Sequence, residues 1–166
     1  MPLTSVSSAR MGFSLNWEAK GKRNYTMAKI LCLDFDGVLH SYTSGWQGVD
    51  VVNDPPVVDV DTGVNAIEWL TGLLHEYVAG LETSNGWKLI KPVIYSSRSI
   101  DPKGIAAMKN WSIKHGLPNH FIESGLLEFP TQKPSAFLSL DDRALCFTGV
   151  FPTRETIDNF KPWNKR

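Results

Sequence analysis

The sequence predicts an α/β domain built on a mainly parallel central sheet, and three observations carry that prediction. Short apolar runs at residues 30–33, 93–95 and 136–140 alternate with longer segments whose apolar residues recur at helical spacing. Runs this short suit strands rather than helices, and their continuity suits strands buried on both faces. Each run also ends in polar, reactive residues, as strands do in open α/β sheets whose sites lie at the strands' carboxyl ends. Alternating strands and helices imply right-handed crossovers.

Residues 1–27 read as a flexible extension: they are polar, lack periodicity, and carry Arg10, Lys20, Lys22 and Arg23 against one acid, Glu18. A start of translation at Met27, directly before the first strand, is a second reading of this stretch. A basic arm for nucleic acid is a third. The first strand, 30–33, runs into Asp34-Phe35-Asp36-Gly37. Residues 40–60 hold Gly45, Gly48, Pro55 and Pro56 among polar and aromatic residues, the chemistry of a loop or small hairpin flap. Asp61-Thr62 is placed to cap a helix through Val64, Ile67, Leu70, Leu73, Leu74, Tyr77 and Val78, closed by Gly80. Residues 82–88 read as a turn, and the second strand ends at Ser96-Ser97-Arg98. Asp101-Pro102 opens another helix through Ile105, Met108, Trp111 and Ile113, stopped by Gly116 and Pro118. Leu126, Leu127 and Phe129 form a candidate third strand. Residues 136–140 are the fourth, running into Asp141-Asp142-Arg143, and 145–147 a short fifth. A brief helix is expected from Thr153, then Pro162-Trp163. The domain thus spans 28–152, between the extension and a C-terminal tail, 153–166.

A chain of 166 residues with 42% apolar content allows one domain with a sizeable core. Its formal net charge is zero, so no global basic field advertises nucleic acid or a membrane surface. Cys32 and Cys146 both fall in predicted core strands, and two thiols do not make a disulfide framework. No apolar run reaches the roughly 18 residues a membrane span needs, and no signal-peptide pattern opens the chain. A cytoplasmic protein without membrane partners is expected.

Asp34 and Asp36, one residue apart on an extended chain, lie on the same side. Two like charges so placed are costly unless a cation or a shared proton compensates them. Gly37 then permits a sharp turn or close approach of a ligand. A calcium loop would need further oxygen ligands soon after, where Val38 and Leu39 stand instead. In a parallel sheet the ends of the predicted strands share one edge. Asp34 and Asp36, Ser96, and Asp141 with Asp142 can therefore converge, with Lys133 just before the last pair. Carboxylates for Mg²⁺, a hydroxyl donor and an ammonium suit phosphoryl transfer, where a protein mainly positions the group and neutralises its charge.

On these residues the chain resembles the haloacid dehalogenase (HAD)-like hydrolase superfamily. Asp34-Phe35-Asp36-Gly37-Val38 matches its first motif, Ser96 within Val93-Ile94-Tyr95-Ser96-Ser97-Arg98 its second, Lys133 its third and Asp141-Asp142 its fourth, in the same order. The resemblance covers most of the chain and implies a three-layer Rossmann-like domain. It further implies that Asp34 is the nucleophile forming an aspartyl phosphate. Asp36 would be the general acid, then the base, and Ser96 would hydrogen-bond a phosphoryl oxygen. Lys133 would neutralise charge. Mg²⁺ would be held by the Asp34 carboxylate, the Asp36 backbone carbonyl, and Asp141 or Asp142, whichever binds directly. Ser97 is the donor if the register shifts by one, and Arg98 either binds substrate phosphate or pairs with a surface acid. His40, Tyr42 and Trp46 either touch substrate or hold the loop. His75, His115 and His120 lack ligand spacing, and Trp69 and Trp111 are read as core.

Only residues 40–60 separate the nucleophile strand from its helix, room for a flap but not for the cap domain that such proteins often carry. An open site suits a large phosphorylated substrate, such as a polynucleotide end. The phosphatase domains of polynucleotide kinase-phosphatases are similar in this, although no kinase phosphate-binding loop is present here. The expected function is that of a Mg²⁺-dependent phosphatase acting on a phosphomonoester. The alternative is a catalytically silent phosphate- or nucleic-acid-binding module. A response-regulator receiver would order its acidic pair and lysine differently.

Overall fold

The computed structural model describes residues 28–83, 89–146 and 148–165. Among them β1 (Lys29–Leu33) lies between β2 (Ile90–Ile94) and β3 (Leu138–Leu140) in a three-stranded parallel sheet of order β2-β1-β3. Four helices accompany it among the described residues: α1 (Ala66–Thr83), α2 (Pro102–Lys114) and the short α3 (His120–Glu123) and α4 (Arg154–Asp158). The mixed α/β class and the parallel pairing are as the sequence predicts.

One core cluster holds the molecule together. Leu33 and Ile94 are partners in register, so their side chains leave the sheet on one face. Against them pack Ile67, Leu70 and Leu74 of α1, Met108 and Trp111 of α2, and Phe121 of α3. Leu33, Phe35, Leu39, Leu70, Leu74 and Ile94 are wholly buried, each side chain stabilising by about 1.5–3 kcal/mol. Ile67, Leu70 and Leu74 follow the helical period that predicted them.

Several local expectations fail for identifiable reasons. The cap of α1 is Asn65, whose Oδ1 accepts from the amides of Ile67 and Glu68 at 2.9 and 3.0 Å. Asp61 and Thr62 instead close a turn on Asp59, whose Oδ1 accepts from both their amides. Gly80 does not end α1, which continues to Thr83. A Cβ there would sit 2.2 Å from Leu89 Cδ2, so the glycine serves close approach rather than termination. The turn read over 82–88 begins inside α1, and residues 84–88 lie outside the described residues. The third strand reduces to a single bridge, Val93 with Glu128. Leu127 and Phe129 are buried in the core, and Pro130 cannot donate to a ladder.

β3 is shorter than expected and exposed throughout. Leu145 and Cys146 form no strand and are exposed, against the reading of Cys146 as a core residue; Phe147 lies outside the described residues. Residues 40–60 form a loop pinned by isolated bridges, His40 with Pro56 and Val58 with Asn65, rather than a hairpin. Trp111 is buried as expected, but Trp69 is 39% exposed and lines an apolar cleft with Val38, Val64 and Leu140. Asp101 caps α2 by accepting from the Lys103 amide at 2.8 Å, with Pro102 first in the helix, as read. Between Glu128 and β3 the nine residues 129–137 contain no helix, where a second helical layer would need a crossover of a dozen or more. No helix among the described residues is long and apolar enough to cross a membrane.

Candidate functional site

Sheet register gathers the site. Leu33 pairs with Ile94 on one side and Leu140 on the other, so all three strands stop level. The next residues, Asp34, Tyr95 and Asp141, therefore leave the sheet side by side. The amide of Asp34 donates to Leu140 O at 2.9 Å and that of Tyr95 to Leu33 O at 2.9 Å. Residues more than a hundred positions apart thus meet at one edge of the sheet.

Carboxylate oxygens of Asp34, Asp141 and Asp142 lie within 4.8 Å of one another, a spacing that could hold a metal ion. Asp141 Oδ1 already accepts from the Arg143 amide at 2.8 Å. Asp142 is different: its side chain is 1% exposed, and neither oxygen has a hydrogen-bond partner. Its nearest cation, Arg143 Nε, stands 3.8 Å away on a side chain that is 59% exposed. Leaving both oxygens of a buried carboxylate unmatched is costly. Burial raises the pKa of Asp142, and proximity to Asp141 adds to the effect. Asp34 is pushed up to about 7, chiefly by burial, against a lowering hydrogen bond from the Phe35 amide, with Asp141, Asp36 and Asp142 adding repulsion. These carboxylates fit a hard divalent ion, which would satisfy the orphaned oxygens and neutralise the repulsion.

The carboxylate of Asp36 turns elsewhere and is not part of this cluster. Its Oδ2 accepts from Arg98 Nε at 2.8 Å and its Oδ1 contacts His40 Nδ1 at 2.9 Å. Arg98 is wholly buried, so the acid it pairs with is a buried one rather than a surface one. Its Nη1 donates to the carbonyls of Gly48 and Val49 at 2.7 and 2.9 Å, its Nη2 has no partner, and Trp46 stacks 4.7 Å away. Trp46 thereby ties the loop to Arg98. Tyr42, at φ 57°, is the one non-glycine residue with positive φ among the described residues, and its ring lies 5.6 Å from the Arg143 guanidinium.

A cavity of about 120 Å³ at the strand ends is lined by Asp34, Ser96, Ser97, Lys133 and Asp141, with Cys32 and Ser139 beneath. Ser96 is buried and caps the turn at Ser97–Ile100: its Oγ accepts from the Arg98 amide at 3.4 Å, which leaves its O–H to donate. Ser97 is exposed. The segment between Glu128 and β3 brings Lys133 to this cavity. Burial raises the Cys32 thiol pKa.

The structure therefore brings together Asp34, Ser96, Ser97, Lys133, Asp141 and Asp142, and sets Asp36 and Arg98 behind them as a pair. Two residues escaped the sequence reading. Trp163, read as tail, donates from Nε1 to the Gly37 carbonyl at 2.8 Å. Asp54 fixes His40 through its backbone amide, at 3.0 Å from Nε2. No sequence signal marks either; only the spacing of His40 four residues after Asp36 hints at their contact. Comparison of the chain with known protein families, with curated proteins and with solved structures finds no match.

Proposed function

We propose that this chain is a capless HAD-like phosphatase with a Rossmann-like core, hydrolysing a phosphomonoester through an aspartyl-phosphate intermediate with Mg²⁺. The observation that carries this reading is the acidic cluster of Asp34, Asp141 and Asp142, with both Asp142 oxygens buried and unmatched. It opens on the cavity that Ser96 and Lys133 line.

Asp34, Asp141 and Asp142 would hold the ion, joined by the backbone carbonyl of Asp36. An ion held there would neutralise charge and keep Asp34 ionised near neutral pH. An Asp34 oxygen attacks phosphorus, the bond to the leaving oxygen breaks, and Asp36, whose carboxylate must turn from Arg98 and His40 toward the site to do so, supplies that oxygen with a proton. Asp36 then takes a proton from water, whose oxygen attacks phosphorus and releases phosphate and free Asp34. Lys133 and the Ser96 hydroxyl neutralise and orient the phosphoryl oxygens meanwhile. A flap without a cap leaves room for a large substrate, such as a polynucleotide end.

Asp34→Asn preserves shape and removes the nucleophile, so hydrolysis of an aryl phosphate with Mg²⁺ should drop to background. Retained turnover would refute the assignment. A wild-type protein that binds phosphate yet turns over none of a broad panel of phosphomonoesters would mark it as a silent binding module instead.

A further inference from the structure

We propose that Trp163 is a positioning residue for the cation site, acting through the backbone of Gly37. The inference rests on the reading of Asp34, Asp141, Asp142 and the Asp36 carbonyl as the groups that hold Mg²⁺. Gly37 follows that carbonyl directly, and at φ 88° it occupies a conformation that glycine takes far more freely than other residues. The same freedom lets an unheld glycine wander. Here both of its peptide groups are held. Its amide donates to His40 O at 2.7 Å. That amide and the Asp36 carbonyl belong to one planar trans peptide, so holding the first aims the second in the opposite direction. The carbonyl of Gly37 itself accepts from Trp163 Nε1 at 2.8 Å, across 126 positions of chain.

The same glycine touches the acidic cluster. A Cβ built on it would lie 2.5 Å from Asp142 Oδ2, so the bare Cα is what this carboxylate rests against. Trp163 and Asp142 thus meet on one residue. The tail that supplies Trp163 docks lightly, and none of its described residues from Thr153 to Lys165 is buried. A short turn, closed by the Lys165 amide on Pro162 O at 2.9 Å, presents Trp163 and Asn164 together. Asn164 Nδ2 donates to Ser41 O at 3.3 Å. Asn164 Oδ1 and Ser41 Oγ are buried without a partner, which weakens this docking. A lightly docked tail responds to what lies beneath it. An ion that orders Asp142 and the Asp36 carbonyl also orders Gly37, and by reciprocity the tail that orders Gly37 raises affinity for the ion.

Trp163→Phe removes the N–H and keeps an aromatic ring at a position that is already 44% exposed. If Trp163 positions the site, Mg²⁺ affinity measured by calorimetry should fall about three- to tenfold, the effect of one hydrogen bond on the fraction of molecules whose turn is ordered. A tail contact that merely adds stability would lower the urea midpoint and leave that affinity unchanged. Hydrogen exchange of the Trp163 indole N–H, followed by NMR in the wild-type protein, supplies a readout that needs neither turnover nor a variant that folds. Saturating Mg²⁺ should slow this exchange by about the same factor. Equal cation affinity in the two proteins overturns the proposal, as does an indole exchange rate indifferent to Mg²⁺. A wild-type protein that binds no Mg²⁺ overturns it together with the phosphatase reading. Coupling without turnover would sink the phosphatase reading alone and leave Trp163 as the brace of the cation site.

Discussion

At the scale of single residues, Asp34 is the group whose chemistry the fold alters most. Its carboxyl titrates at about 7 instead of the ordinary 3.8, because burial withholds water and neighbouring acids repel charge. Between these values the unfolded chain has released a proton that the folded chain keeps. Asp34 therefore gives the ion-free protein its full contribution below the lower value. Stability falls as pH rises across the window and is level above it. Urea melts of wild type and Asp34→Asn at about pH 4, 5.5 and 7.5 should show wild type losing ground to the variant as pH rises; parallel pH profiles would contradict the assigned burial. The same proton competes with a cation. Mg²⁺ affinity measured by calorimetry should climb about tenfold per pH unit up to neutrality and then flatten, since binding must displace one proton. The pattern of acids was legible in the sequence because strand ends announce themselves. The orientation of Asp36 was not, since it depends on Arg98, 62 residues further along the chain, and on His40.

At the scale of elements, the turn after β1 decides how close the site can be. Gly37 has φ 88°, and a Cβ built on it would lie 2.5 Å from Asp142 Oδ2. Gly37→Ala thus carries two penalties: a left-handed backbone, costing about 1–2 kcal/mol, and displacement of a buried carboxylate from the cluster. Gly45 shares the backbone condition, at φ 71°, but an added Cβ there meets nothing within 4 Å. Both alanine variants should lose stability in denaturant melts, whereas only Gly37→Ala should also lose Mg²⁺ binding. Equal cation affinity in the two would show that Asp142 does not need the space. The sequence marked Gly37 as a sharp turn or a point of close approach for a ligand; the turn is there, and what approaches the backbone is the Asp142 side chain. It misread Gly80 because a glycine after a helical run looks the same whether it ends the helix or admits Leu89 beside it. The α1 cap expected at Asp61-Thr62 falls on Asn65 instead, because Asp59 takes both of their amides into a turn and Asn65 is left to accept from Ile67 and Glu68.

At the scale of the whole molecule, β1 is the strand on which everything else closes, and its two neighbours reach it from distant parts of the chain. Sequence alone named β1, β2 and, as a longer strand over 136–140, β3, because their apolar runs are dense. It could not foresee the exposure of β3, which follows from the helix-free stretch between Glu128 and Leu138 and not from the composition of β3 itself. The two cysteines convert this architecture into a measurement. Cys32 sits in β1 at 2% exposure, hydrogen-bonded strands on either side, while Cys146 is exposed in a segment without secondary structure. A thiol reagent must wait for the sheet to open before it reaches Cys32, and burial also keeps that thiol protonated and unreactive. For a domain of ordinary stability, openings of the central strand are rare by a factor of about a thousand or more. Mass spectrometry of the native protein should therefore show Cys146 labelled at once and Cys32 slower by at least that order. Mild denaturant should accelerate only the slow site, in step with global unfolding. Labelling of both thiols at one rate would mean that β1 is not the closed centre of the sheet, and the level strand ends that bring Asp34 beside Asp141 would lose their support.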